Sequence, residues 1–117
     1  MAKKALIEIS VDDEVTSGST EITLAPGAVP NGKIARLHKF GGAVPKDADG
    51  TECLIILQWG SGGAWQTIRA FATSFEDISM EREFTGNGIK TFRLVRVNRS
   101  ATDKPMVAWL EGLIITP

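Results

Sequence analysis

The chain has 117 residues, 43% of them hydrophobic and 23% charged, which fits one folded domain over residues 1–117 and excludes disorder for most of its length. Thirteen Lys and Arg against fourteen Asp and Glu leave a net charge of −1, so nothing draws it in bulk toward nucleic acid or an acidic membrane surface, and self-association is not opposed. A single cysteine, Cys53, excludes an internal disulfide, and no apolar run approaches the ~20 residues that span a membrane.

From the N-terminus, "MAKKALIEIS" has too short and too interrupted an apolar segment for a signal peptide, with Glu8 inside it. The expectation is a soluble chain not exported by the usual route, with residues 1–4 as an N-terminal arm. Clusters of Gly, Pro, Asn, Asp and Ser then punctuate short runs rich in Ile, Val, Leu, Thr, Phe and Trp. Eight strands follow in order. They are "KALIEISV", "STEITLA", "KIARLHKF", "ECLIILQW", "AWQTIRAFA", "DISMEREF", "IKTFRLVRV" and "PMVAWLEGLII". "ECLIILQW" is apolar on both faces and so is expected to be central. In "DISMEREF", Ile78, Met80 and Phe84 share one side while Ser79, Glu81 and Glu83 share the other. A helix over "SFEDISMERE" is the alternative, with a capping-box look at Ser74 and Asp77. Eight short strands predict an all-β, antiparallel two-sheet sandwich, jelly-roll-like, with an immunoglobulin-like sandwich as runner-up.

The stretch "LQWGSGGAWQ" poses the sharpest functional question. A phosphate-binding loop must open a helix, so that backbone N–H groups point at the anion. Gly60, Ser61, Gly62 and Gly63 lead instead into a strand, so the run reads as a hairpin turn. Trp59 and Trp65 flank it. They are candidates for packing within the hairpin, for a sugar-stacking platform or for contact with a partner. Trp109 is expected in the core.

Catalytic signals are sparse. His38, the only histidine, lies beside Lys39 and has no acidic neighbour in sequence. One His and one Cys do not supply a zinc site. "PKDADGTE" offers Asp47, Asp49 and Gly50 to a calcium loop, but Pro45 and Ile56 fall where the end ligands belong. No catalytic, cofactor or metal-binding residue is nominated, and the chain is read as non-enzymatic. Acidic residues gather early (Glu8, Asp12, Asp13, Glu14, Glu21) and basic ones late (Lys90, Arg93, Arg96, Arg99, Lys104). Arg93 and Arg96 are expected on opposite faces of a strand, which argues against a nucleic-acid platform and leaves solvated surface or a charge-complementary protein contact.

From "REFTGNGIKTFRLVRVNRS" onward the layout resembles small β-sandwich structural proteins of tailed bacteriophage particles and prophages. There a "TGDGVKK"-like turn leads into a late strand, and the chain ends in an aromatic-Glu-Gly strand like "AWLEG". "ECLIILQW" with its glycine hairpin, and "RLHKFGGAV" before it, match the same layout. The resemblance covers residues 32–115, with Asn87 where Asp is expected. It implies a virion protein, assembled in the bacterial host cytoplasm, that acts as a capsid decoration (cement) protein bridging shell subunits. The alternative is a phage tail, receptor-binding or carbohydrate-binding module. The implied partners are the major capsid protein or other virion proteins, with self-association possible and with no cofactor, nucleic acid or membrane. Expected contacts are Ala2, Lys3, Lys4, Pro30, Pro45 and Arg99, with Trp59 and Trp65 as stacking residues under the alternative.

Overall fold

The structure, a computed structural model, describes residues 3–43, 53–72 and 75–116. Its strands are β1 (Lys3–Val11), β2 (Glu14–Val15), β3 (Thr20–Leu24), β4 (Ile34–Ala43), β5 (Cys53–Ser61), β6 (Ala64–Phe71), β7 (Phe75–Thr85), β8 (Thr91–Asn98), β9 (Lys104–Pro105) and β10 (Val107–Thr116). The stretch considered for a helix is strand in its described part, as β7. Ser79, Glu81 and Glu83 are exposed and Phe84 is buried, the sides that alternation assigns them, while Arg82 on the side of Phe84 is exposed as well.

Two four-stranded antiparallel sheets make the body. One has the order β1-β10-β4-β7 and the other β3-β8-β5-β6. Leaving aside the two-residue strands β2 and β9, the eight long strands run 1-8-3-6 and 2-7-4-5, the jelly-roll order. β5 lies between β8 and β6, the interior position its apolar faces suggest.

The core forms where the inward faces meet. The first sheet contributes Ile7, Ile9, Leu37, Phe40, Phe84 and Leu110. The second contributes Ile55, Leu57, Trp59, Phe71, Phe92 and Leu94. An aromatic cluster joins the sheets. Trp59 stands 4.6 Å from Phe92 and 5.1 Å from Phe84, and Phe84 meets Phe92 edge-on at 5.2 Å. Such pairs contribute about 0.5–1.5 kcal/mol each beyond area burial.

β5 and β6 are joined by a two-residue turn, Gly62-Gly63, with Ser61 opposite Ala64. Gly62 has φ +55°, the positive value that a II′ hairpin asks of its first central residue. The "TGNG" turn has its own logic. Asn87 Oδ1 accepts from the backbone N–H groups of Ile89 and Lys90 at 2.9 and 2.8 Å, an Asx turn. Gly86 is buried against the 25–33 loop, where a Cβ would overlap the Pro30 carbonyl oxygen and the Val29 side chain. Gly86→Ala is therefore expected to lower stability by about 1–3 kcal/mol, the usual range for overpacking, read as a lower urea midpoint at unchanged m-value.

Candidate functional site

Period-2 geometry decides which residues each sheet presents to solvent. On β8, Phe92, Leu94 and Arg96 face inward, so Arg93, Val95 and Val97 face out. Their cross-strand partners share that outer face. Ile22 of β3 pairs with Val95, Val95 pairs with Ile56 of β5, and Ile56 pairs with Ala70 of β6. A second row runs from Thr20 through Val97 to Leu54. Ile22 is 51% exposed and Leu24 56%, whereas Val95, ringed by these neighbours, is 7% exposed. The outer face of the second sheet is thus apolar at its centre.

A polar row bounds it. Arg93 Nε donates to Gln58 Oε1 at 2.7 Å, and Gln58 Nε2 donates to Thr67 Oγ1 at 3.2 Å, linking β8, β5 and β6. The Arg93 guanidinium lies 4.1 Å over the Trp65 ring, whose Nε1–H donates to the Gly62 carbonyl at 2.7 Å. A cation over an exposed indole contributes about 0.5–1 kcal/mol. The face therefore has an apolar centre beside a rim that carries Trp65 and Arg93, residue types enriched at protein contacts.

The structure separates the two tryptophans proposed as a stacking pair. Trp59 pairs with Gln66 and points into the core at 6% exposure, while Trp65 pairs with Gly60 and points outward under Arg93. They lie on opposite faces of the sheet, so they form no shared sugar platform. Trp109 departs from the core expectation. It is half-buried on the outer face of the first sheet, opposite Gly41, while its neighbours Ala108 and Leu110 fill the core.

The nominated contact residues that are described fall at two ends of the sandwich. Lys3 and Lys4 belong to β1, paired with Thr116 and Ile115 at the end of the sandwich where Ile34 and Thr85 lie. Pro30 is exposed in the 25–33 loop near that end. Arg99 is exposed at the opposite end, after β8. Ala2 and Pro45 lie outside the described residues, as does the "PKDADGTE" loop through Glu52.

His38 and Lys39 both point outward from β4, because the strand carries one residue more than β10 opposes there. With Ser79 and Glu81 they line an open depression of about 500 Å³. The fold thus gives His38 the acidic neighbour it lacks in sequence, yet among the described residues no hydrogen bond links the histidine to Ser79 or Glu81. Cys53 is buried, with its thiol 3.6 Å from Asn98 Oδ1. Among the described residues no three His, Cys, Asp or Glu side chains gather as a metal cluster, and no helix is long and apolar enough to cross a membrane.

The charge asymmetry of the sequence closes partly within the fold. Arg96 is 2% exposed. Its guanidinium donates to Asp13 Oδ1 at 2.7 Å and to the Asp13 and Met106 carbonyls at 2.9 and 2.8 Å. Beside it, Asn98 Nδ2 donates to the Val15 and Thr102 carbonyls, and Asn98 Oδ1 accepts from Ser100 N and Oγ. Together they fasten the 12–19 and 99–106 loops.

No family model matches this sequence, and no curated protein is significantly similar to it.

The hydrogen bond and charge of Arg96 hold the Asp13 carboxyl below its ordinary value of 3.8. A carboxylate with a lowered folded-state pKa stabilises the fold above its unfolded pKa, and that contribution is lost as pH falls through the folded value. Thermal unfolding should therefore show Asp13→Asn flattening the acid limb below about pH 4. Arg96→Met, which takes the guanidinium from the Met106 and Asp13 carbonyls and from the Asp13 carboxylate, should cost about 2–3 kcal/mol at neutral pH in a urea titration.

Proposed function

We propose that this chain is a non-enzymatic structural protein of a bacteriophage virion, a capsid decoration protein that stabilises the shell by bridging its subunits. The observation that carries the reading is the outer face of the β3-β8-β5-β6 sheet. Ile22, Leu24, Leu54, Ile56 and Val97 expose an apolar centre beside the Arg93–Gln58–Thr67 row. Covering that face stabilises by roughly 25 cal/mol per Å² of apolar area removed from water. The jelly-roll frame supports it, since this architecture recurs in viral capsid domains. The layout of residues 32–115, which resembles phage β-sandwich proteins, supports it too.

The mechanism follows from linkage. A protein that binds the assembled shell and not its separated subunits stabilises the assembly by mass action, in proportion to the logarithm of its free concentration over Kd. A face laid across two shell subunits makes their separation also break its own contacts. The shell surface that receives it must itself be apolar at the centre and carry acceptors for Arg93.

Quantitative mass spectrometry of purified particles tests this directly. The expected result is a copy number comparable to the shell protein, with particles lacking the chain opening at lower temperature. Ile56→Glu, placed at the centre of the face, should reduce copies per particle at least about tenfold while the isolated domain stays folded, since it buries a charge at the contact. A few copies per particle would move the chain to the tail, and absence from particles would overturn the reading.

A further inference from the structure

We propose that β3 is the edge through which a second copy of this chain pairs, strand against strand and antiparallel, about a two-fold axis at Ile22. This does not rest on the virion reading, because it follows from the backbone of the strand itself.

The hydrogen-bond phase of β3 fixes what its open edge offers. Ala25 N–H donates to the Phe92 carbonyl, and Asn98 N–H donates to the Ser19 carbonyl. In an antiparallel ladder the bonded residues alternate, so Glu21 and Thr23 turn their N–H and C=O groups toward β8. Thr20, Ile22 and Leu24 turn theirs the other way, to the sheet edge. Among the described residues no backbone bond reaches them there.

That edge is self-complementary. With Ile22 opposite the Ile22 of the second copy, Thr20 falls opposite Leu24 and Leu24 opposite Thr20. All three are bonded pairs, each exchanging two bonds, about six in all. The charges agree as well. Glu21 is the only charged residue of β3, and this register sets it opposite Thr23 rather than opposite its own copy. The exposed side chains of Ile22 and Leu24 would close against each other on one face, joining the two apolar faces across an eight-stranded sheet.

The other edges are guarded in the ways that edge strands usually are. β6 carries Arg69 and a bulge where Leu57 and Gln58 oppose it. β7 carries exposed Glu81, Arg82 and Glu83, with a register shift against β4. β1 carries exposed Glu8. β3 has no Pro, no Lys and no bulge.

Sedimentation equilibrium of the purified full chain tests the proposal. The wild type should dimerise. Ile22→Pro deletes the central one of the three N–H groups that point to the open edge and leaves every β3–β8 bond in place. Ile22→Lys sets two like charges face to face. Each should raise the dimer dissociation constant at least about tenfold with an unchanged β circular dichroism spectrum. Ile22→Cys tests register without disturbing the fold. A bonded antiparallel pair holds its Cα atoms about 5.5 Å apart, within disulfide reach. Mild oxidation should therefore yield a covalent dimer, whereas Leu24→Cys alone, facing Thr20, should not. Cys53, 1% exposed, does not compete. The proposal is overturned by a chain monomeric up to about 1 mM, by a dimer indifferent to both Ile22→Pro and Ile22→Lys, or by equal cross-linking of the two cysteine variants.

Discussion

Alternation is the constraint on which this molecule depends. A sandwich strand gives every second side chain to the core, and the two inward faces must fill the space between the sheets without polar atoms left unmet. Here the space is filled by aliphatic side chains around one aromatic cluster, Trp59 with Phe84 and Phe92. The one charged group admitted inward on β8, Arg96, sits at the end of the sandwich, where loop carbonyls and Asp13 receive its terminal nitrogens while its Nε stays buried without a hydrogen-bond partner. The same alternation that hides Phe92 and Leu94 obliges Arg93, Val95 and Val97 to face outward. An antiparallel sheet with one solvated face usually makes that face polar. This second sheet does not, and its apolar outer centre is the feature that folding alone leaves unaccounted for.

Much of this was legible in the sequence. The eight long strands follow from short β-branched and aromatic runs between turn clusters, and the Gly62-Gly63 hairpin from its glycines. β2 and β9 were not legible, because a two-residue pairing has no period to detect. The site residues were harder. Arg96 looked like one of a group of surface cations, yet in "TFRLVRV" it shares the parity of Phe92 and Leu94, and that parity fixes it inward. Trp109 shows the converse. Its size suggests burial, but Ala108 and Leu110 take the inward positions beside it. Trp59 and Trp65 cannot share a face, because the two-residue turn sets Gly60, not Trp59, opposite Trp65.

The outer face itself was half legible. "CLIIL" reads as apolar on both faces, which indicates an interior strand of a sheet. β5 holds that position. What one strand does not reveal is that Ile22 and Val95 come into line with Ile56 and extend the apolar row. That alignment depends on register between segments more than thirty residues apart, set by the jelly-roll crossovers and not by local pattern. Of the nominated contacts within the described residues, Lys3, Lys4 and Pro30 lie at one end of the sandwich and Arg99 at the other.

The two proposals fit one physical picture. In it, edge pairing would supply direction and register through backbone bonds, and the apolar centre would supply the area whose burial holds a partner. The measurement that tests the central claim most directly is side-chain footprinting of the chain free in solution and within purified particles. The account predicts that Leu54, Ile56 and Val97, away from the β3 edge, lose labelling on the particle while exposed Leu6, Ile89 and His38 keep theirs. Equal labelling of the second sheet's outer face in both states would contradict it.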